Sequence, residues 1–188
     1  MTLTLVENFY SWARTVLFGN TKENGENLSE TPYTGSNRPV VGVLKDITGE
    51  AVLTLPFLTP SNYTTWDGFN LVTLGYLSKE NSGSTIFRAG TDNSISQKED
   101  YELKGKIETG LTYSGSVSHS NSGLTYVLII YNNSEENKEI SEIGFYKKVR
   151  MTGDPATYKT FLLGRATLDT PEVIAPQTSK TYQITLEL

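Results

Sequence analysis

From Leu111 to Leu188 the chain repeats one pattern: alternating apolar and polar residues, then a cluster of turn formers. Period-two alternation belongs to strands, whose successive side chains point to opposite faces. Leu111, Tyr113, Gly115 and Val117 alternate with Thr112, Ser114, Ser116 and Ser118, and Asn121-Ser122-Gly123 turns the chain. Leu124 to Tyr131 then carries apolar groups on both faces, as in a strand between two layers or one covered by a neighbour. Asn132 to Lys138 is a polar turn, and Ile140 to Tyr146 a strand whose Gly144 marks a bulge or a close backbone approach. Phe161 to Leu168 is another strand, which Asp169-Thr170-Pro171 should break. Pro176 to Ser179 turns once more. In the last strand Tyr182, Ile184, Leu186 and Leu188 point in, while Thr181, Gln183, Thr185 and Glu187 point out. Short strands, turn signals every ~8–12 residues and no strand–helix–strand alternation predict an all-β fold, a jelly-roll-like antiparallel β-sandwich.

Upstream the pattern changes. Leu5, Phe9, Trp12 and Val16 recur on one helical face, flanked by Val6, Tyr10, Ala13 and Leu17. Thr4 and Glu7 have capping-box spacing, and Gly19-Asn20 supplies a stop. So broad a stripe either packs on its own domain or docks on a neighbouring subunit. Residues 20–39 are rich in Asn, Gly, Ser, Thr and Glu, which reads as a polar arm. The division expected is a docking helix and arm over 1–39, then a β-sandwich over 40–188. Within the latter, Val40 to Leu44 and Ala51 to Leu55 read as strands joined by a turn at Asp46 to Glu50. Phe69 to Leu77 and Thr85 to Arg88 read as further strands, while Pro56 and Pro60 bracket Phe57-Leu58 and bar regular helix there.

Composition removes whole classes of chemistry. With no Cys and one His, any disulfide framework, thiol site or two-histidine mechanism is excluded. The balance of 16 Lys+Arg against 21 Asp+Glu, net −5, argues against direct nucleic-acid binding. No apolar run approaches the ~18–20 residues of a membrane span. The first residues do not read as a secretory signal, because Glu7 and Arg14 interrupt them.

The remaining candidates for chemistry are weak. His119 sits at a strand end and no G-x-S-x-G elbow accompanies it, so it reads as a surface histidine. Glu99-Asp100 and Glu135-Glu136 are adjacent pairs in polar loops, unlike the opposed carboxylates of a glycosidase. Asp92-Asn93 with Glu99 and Asp100 offer oxygen ligands, but their spacing matches no calcium loop. Lys147-Lys148-Arg150 reads as a solvated strand end, or as a contact for an acidic neighbour. Tyr63, Trp66 and Phe69 lie among polar residues; they anchor a loop to the core, meet a subunit, or stack on a sugar. No catalytic residue, cofactor or metal ligand is assigned, and no enzyme is expected.

One resemblance runs through residues of about 86–188. Arg88-Ala89-Gly90-Thr91-Asp92-Asn93-Ser94 leads into Asp100-Tyr101-Glu102-Leu103, then Ile107 and Gly110-Leu111. After the long strand pair come Ser141-Glu142-Ile143-Gly144-Phe145-Tyr146 and Phe161-Leu162-Leu163-Gly164-Arg165-Ala166-Thr167-Leu168-Asp169-Thr170-Pro171. This order resembles a group of small β-sandwich virion proteins of tailed bacteriophages. Their recurring pieces are a "GT…DY.L" segment, an "EIGLY" strand and an "LLAR..LD.P" strand before a terminal strand. Here Phe145 stands for the usual Leu and Gly164 for the usual Ala. The resemblance implies a non-enzymatic building block, assembled in the infected bacterium with other virion proteins and in many copies of itself. A tail or neck position is favoured over capsid decoration, and a glycan-binding module of a phage particle is the alternative. The residue pattern agrees: the stripe Leu5, Phe9, Trp12 and Val16, and the second strand face Val127, Ile129 and Tyr131, are the surfaces expected to meet other subunits.

Overall fold

The computed structural model describes residues 3–18, 37–40, 42–56, 85–120, 123–151 and 158–187. In chain order the elements are β1 (Thr4–Leu5), α1 (Glu7–Phe18), β2 (Asn37–Pro39), β3 (Thr54–Pro56), β4 (Thr85–Gly90), β5 (Leu111–Ser120), β6 (Gly123–Asn132), β7 (Lys138–Arg150), β8 (Tyr158–Ile174) and β9 (Ser179–Glu187). Two antiparallel sheets, ordered β1-β8-β7-β4 and β5-β6-β9, pack together as a β-sandwich, and β2 and β3 form a separate ribbon.

Alternation places the core. On β6, Tyr126, Leu128 and Ile130 are buried while Val127, Ile129 and Tyr131 are exposed. The two-faced apolar strand is thus the middle strand of the smaller sheet, flanked by β5 and β9. Tyr182 and Ile184 of β9 point inward beside it, as their period requires. Facing them, Phe87, Phe145, Phe161 and Leu163 come from the larger sheet. Phe87, Tyr126 and Phe145 form a ring cluster with centroids 5.3 to 5.4 Å apart.

The larger sheet is buried on its second face too. There Ile86, Leu103, Tyr146, Leu162 and Val6 form a smaller cluster. The connection from β4 to β5 lies across this face and brings Leu103 to it.

Three local expectations are corrected. Thr4 does not cap the helix: Thr4 and Leu5 pair with Arg165 and Gly164 as β1. Sheet pairing consumes their backbone, so α1 starts at Glu7. The Val6 N–H donates to the Leu163 carbonyl (3.1 Å) and the Glu7 N–H to the Lys98 carbonyl (2.7 Å). These bonds replace a side-chain cap for amides that a helix start leaves without partners. Second, Asp169-Thr170-Pro171 does not end the strand; β8 runs to Ile174. Register passes from Glu142↔Thr167 to Ile140↔Glu172, so residues 168–171 bulge out opposite Ser141. Pro171 sits in that bulge, where no ladder N–H is demanded of it. Third, Asn37–Pro39, assigned to the arm, is a strand paired with Thr54–Pro56. Of the expected Val40–Leu44 strand, the described residues 40 and 42–44 are not strand; the bridge Lys45↔Ala51 just after them closes the turn at Asp46. Of the two readings of Gly144, the close approach holds: it pairs in register with Arg165, and a Cβ there would lie 2.9 Å from Leu103 Cδ2, while the nearby register shift leaves Leu163 of β8 as the extra residue. The expected arm over 20–36, the Phe69–Leu77 strand and the helix stop at Gly19-Asn20 lie outside the described residues.

Candidate functional site: a buried charge cluster and an uncharged sheet face

Arg165 projects from the middle of β8 and its side chain is fully buried. A buried guanidinium must be paired on most of its donors. Nε donates to Glu142 Oε2 at 2.6 Å, and Nη2 to Asp92 Oδ1 at 2.7 Å. Nη1 reaches Asp100 Oδ2 at 3.4 Å. Glu142, itself fully buried on the adjacent β7, accepts the Gly105 N–H on its other oxygen at 2.8 Å. One cation therefore ties the connection after β4 to the centre of the larger sheet.

The tie continues beside it. The Tyr146 hydroxyl donates to Glu102 Oε1 in a short hydrogen bond, and the Leu103 N–H donates to the same hydroxyl at 3.2 Å. Glu102 Oε2 pairs with Lys106 at 3.0 Å, and Lys106 also meets Glu108 at 3.1 Å.

The electrostatics are those of a closed network. Burial works to lower the pKa of Arg165, but its bonds to Glu142 and Asp92 and the charge of Asp100 outweigh it, so the pKa is raised. Hydrogen bonds from Ser94, then the Arg165 guanidinium, hold Asp92 below the usual carboxylate value. Burial, then the Glu102 charge, pushes the Tyr146 hydroxyl far up. Burial also works against the charge of Lys106, which Glu102 and Glu108 more than restore.

Gly90 shows how tightly the cluster fits. A Cβ on Gly90 would lie 2.3 Å from Glu142 Oε1, and that carboxylate is held by Arg165 and Gly105. Gly90→Ala is expected to lower the thermal midpoint by several degrees with the far-UV spectrum retained. A ΔΔG of 1 kcal/mol moves such a midpoint by ~2–4 °C, so an unchanged midpoint would mean that Glu142 can shift freely.

Other sequence candidates fall in varied places. Of the proposed oxygen ligands, Asp92 and Asp100 converge on Arg165, while Asn93 and Glu99 are exposed. Among the described residues no group of three His, Asp or Glu is placed to hold a metal ion. Glu135 and Glu136 are exposed in the turn before β7. Lys147 of the Lys147-Lys148-Arg150 cluster is not solvated: it is buried, and burial brings its pKa down to about 8. Lys148 lies over the Tyr158 ring, 5.2 Å from its centroid. A cleft of about 170 Å³ beside Tyr146, edged by Arg88, Glu102, Lys106 and Lys148, is below the ~300 Å³ where ligand pockets begin. The side chains of His119 and Arg150, and all of Tyr63, Trp66 and Phe69, lie outside the described residues.

The helix stripe and the second strand face separate clearly. Phe9 and Trp12 are buried in the main core, with Leu5 partly buried against it, so this part of the stripe is spent within the chain. The side chain of Val16 lies outside the described part. Val127, Ile129 and Tyr131 are instead exposed, at 37%, 36% and 36%.

They form the midline of an outer sheet face. Its rows are Thr112/Tyr131/Ser179, Ser114/Ile129/Thr181, Ser116/Val127/Gln183 and Ser118/Thr125/Thr185. No charged residue stands in these rows, on a chain of net −5.

Sequence reasoning missed the Arg165 cluster. The signal was present as a lone Arg in Phe161–Ala166 and a lone Glu in Ile140–Tyr146, two apolar runs that follow one another as a strand pair. A charge buried in a strand needs a partner, and the oppositely charged residue of the next strand is a candidate for it. Compared with family models, with curated proteins and with solved structures, the chain has no match.

Proposed function

We propose that this chain is a structural subunit of a tailed-bacteriophage virion, a β-sandwich that assembles with copies of itself and with other virion proteins, in the tail or neck rather than as a capsid decoration. One observation carries the reading. The three pieces that prompted the resemblance meet at one place: Asp92 and Asp100 come from the first, Glu142 from the second and Arg165 from the third, and all join the same ion cluster. Their recurrence is then a framework requirement, as expected of a building block. The outer face supports it from another side, since rows without a charged residue, with Val127, Ile129 and Tyr131 along their middle, suit burial against a protein surface. Among the described residues no helix is long and apolar enough to cross a membrane. The glycan-binding alternative rests on Tyr63, Trp66 and Phe69 alone, and no structural observation favours it.

Immunogold labelling of intact particles with antibody against this chain tests the reading. Label at the tail or neck is expected. Particles that carry no label would remove the virion assignment, and label over the capsid surface would overturn the position.

A further inference from the structure

Sheet edges are where a β-sandwich can still bond, and here the described edges differ sharply. The β4 edge is met by its own chain at Ala89 and Gly90. The Ala89 N–H donates to the Tyr113 hydroxyl (3.0 Å), the Ile107 N–H to the Ala89 carbonyl (2.9 Å), and Gly90 bridges Lys106. The β9 edge receives the Leu3 N–H on the Thr185 carbonyl at 3.0 Å. The β1 edge is two residues long. The β5 edge is ten residues long, and among the described residues it pairs only with β6.

Ten residues span about 34 Å, with roughly half of their N–H and C=O groups directed away from β6. Proteins normally protect such an edge with Lys, Pro or a bulge. Leu111–Ser120 has no Lys, Arg, Asp, Glu or Pro, and its register with β6 runs unbroken from Leu111↔Asn132 to Ser120↔Gly123.

We propose that β5 is a self-pairing edge: two copies join β5 to β5 antiparallel across a two-fold axis, making one continuous six-stranded sheet. This rests on the reading of the chain as an assembling subunit and names the strand that does it. Two chains of net −5 repel one another, and the β5 edge with its adjoining rows, which carry no charged residue, lets a second copy approach without opposed carboxylates. An antiparallel strand is its own complement about a two-fold axis, as an isologous contact requires. Edge pairing adds main-chain hydrogen bonds that face stacking cannot supply.

The chain has no Cys, so single cysteines report cleanly. Thr112→Cys, Ser114→Cys, Ser116→Cys, Ser118→Cys and the face control Val127→Cys are oxidised separately in the full chain, and dimer is read on a non-reducing gel. In a two-fold strand pair only the position nearest the axis meets its own twin. Four residues off the axis, the twins stand about 27 Å apart. A yield that peaks at one β5 position and falls at least tenfold toward the strand end is expected. A flat scan, or a higher yield from Val127→Cys, overturns the inference. Ser116 is exposed, so Ser116→Lys should fold normally yet weaken the dimer at least tenfold in sedimentation, and an equal mixture with Ser116→Glu should restore it. A purified chain that stays monomeric at all concentrations also overturns it. Particle labelling is unaffected by that result and judges the assembly reading separately.

Discussion

Arg165→Met is expected to cost about 3–5 kcal/mol of folding stability, measured by urea unfolding. The reason is what remains: Glu142 would be a fully buried carboxylate with its guanidinium gone and only the Gly105 amide left on it. Asp92 and Asp100 lie on the connection after β4 and can turn to water, whereas Glu142 cannot leave the sheet. A typical domain has only about 5–15 kcal/mol in total. The double variant Arg165→Met/Glu142→Met should recover most of the loss, because replacing both charges removes the buried ion. A loss under ~1 kcal/mol for the single variant would mean that the cluster does not hold this connection to the sheet. Acid should act in the same direction. The folded pKa of Asp92 lies below its unfolded value, so its contribution is complete above about pH 4 and is lost as pH falls through the folded value. In Arg165→Met that acid sensitivity should be smaller, though not absent, since Ser94 also holds Asp92 down.

Phe145→Ala is expected to be comparably severe, about 3–5 kcal/mol, read by the same unfolding measurement. Phe145 is fully buried, with Phe87 and Tyr126 both 5.4 Å away centroid to centroid. Removing it leaves a cavity that rings on two sheets must line without collapsing. Phe145→Leu should lose clearly less, since it leaves a smaller void. Equal losses for the two variants would show that ring packing, more than cavity volume, sets the cost.

The resemblance pattern has Leu at this place, and the ring trio gives a reason for Phe here. Phe87 and Tyr126 come from strands far apart in sequence, so nothing near Phe145 in the chain announced the fit. The same contrast runs through the molecule. Strands Leu111–Ser120, Gly123–Asn132 and Ser179–Glu187 were legible because one face is wet and the other dry. The helix start was not, because whether Thr4 caps or pairs depends on β8 lying beside it. Pro171 misled for a related reason: it breaks a ladder only where a ladder N–H is needed, and the bulge opposite Ser141 removes that need.

The candidate sites divide the same way. Val127, Ile129 and Tyr131 stood out in sequence as a second apolar face, and they are exposed. Phe9 and Trp12 carried an equally plain stripe, yet it is buried at home. Periodicity reports which residues share a face, but not what covers that face.

Read alone, the sequence determined the all-β class, the position of most strands in its second half, and the chemistries that one His and no Cys exclude. Those follow from local period and from composition, which need no partner in space. Tertiary structure alone decided that Asp92, Asp100, Glu142 and Arg165 form one cluster, that Phe9 and Trp12 of the helix stripe are buried within the chain, and that β5 is the long uncharged edge left open among the described strands. Each of these depends on which distant segments come to lie side by side, and a chain read in order carries no distance between them.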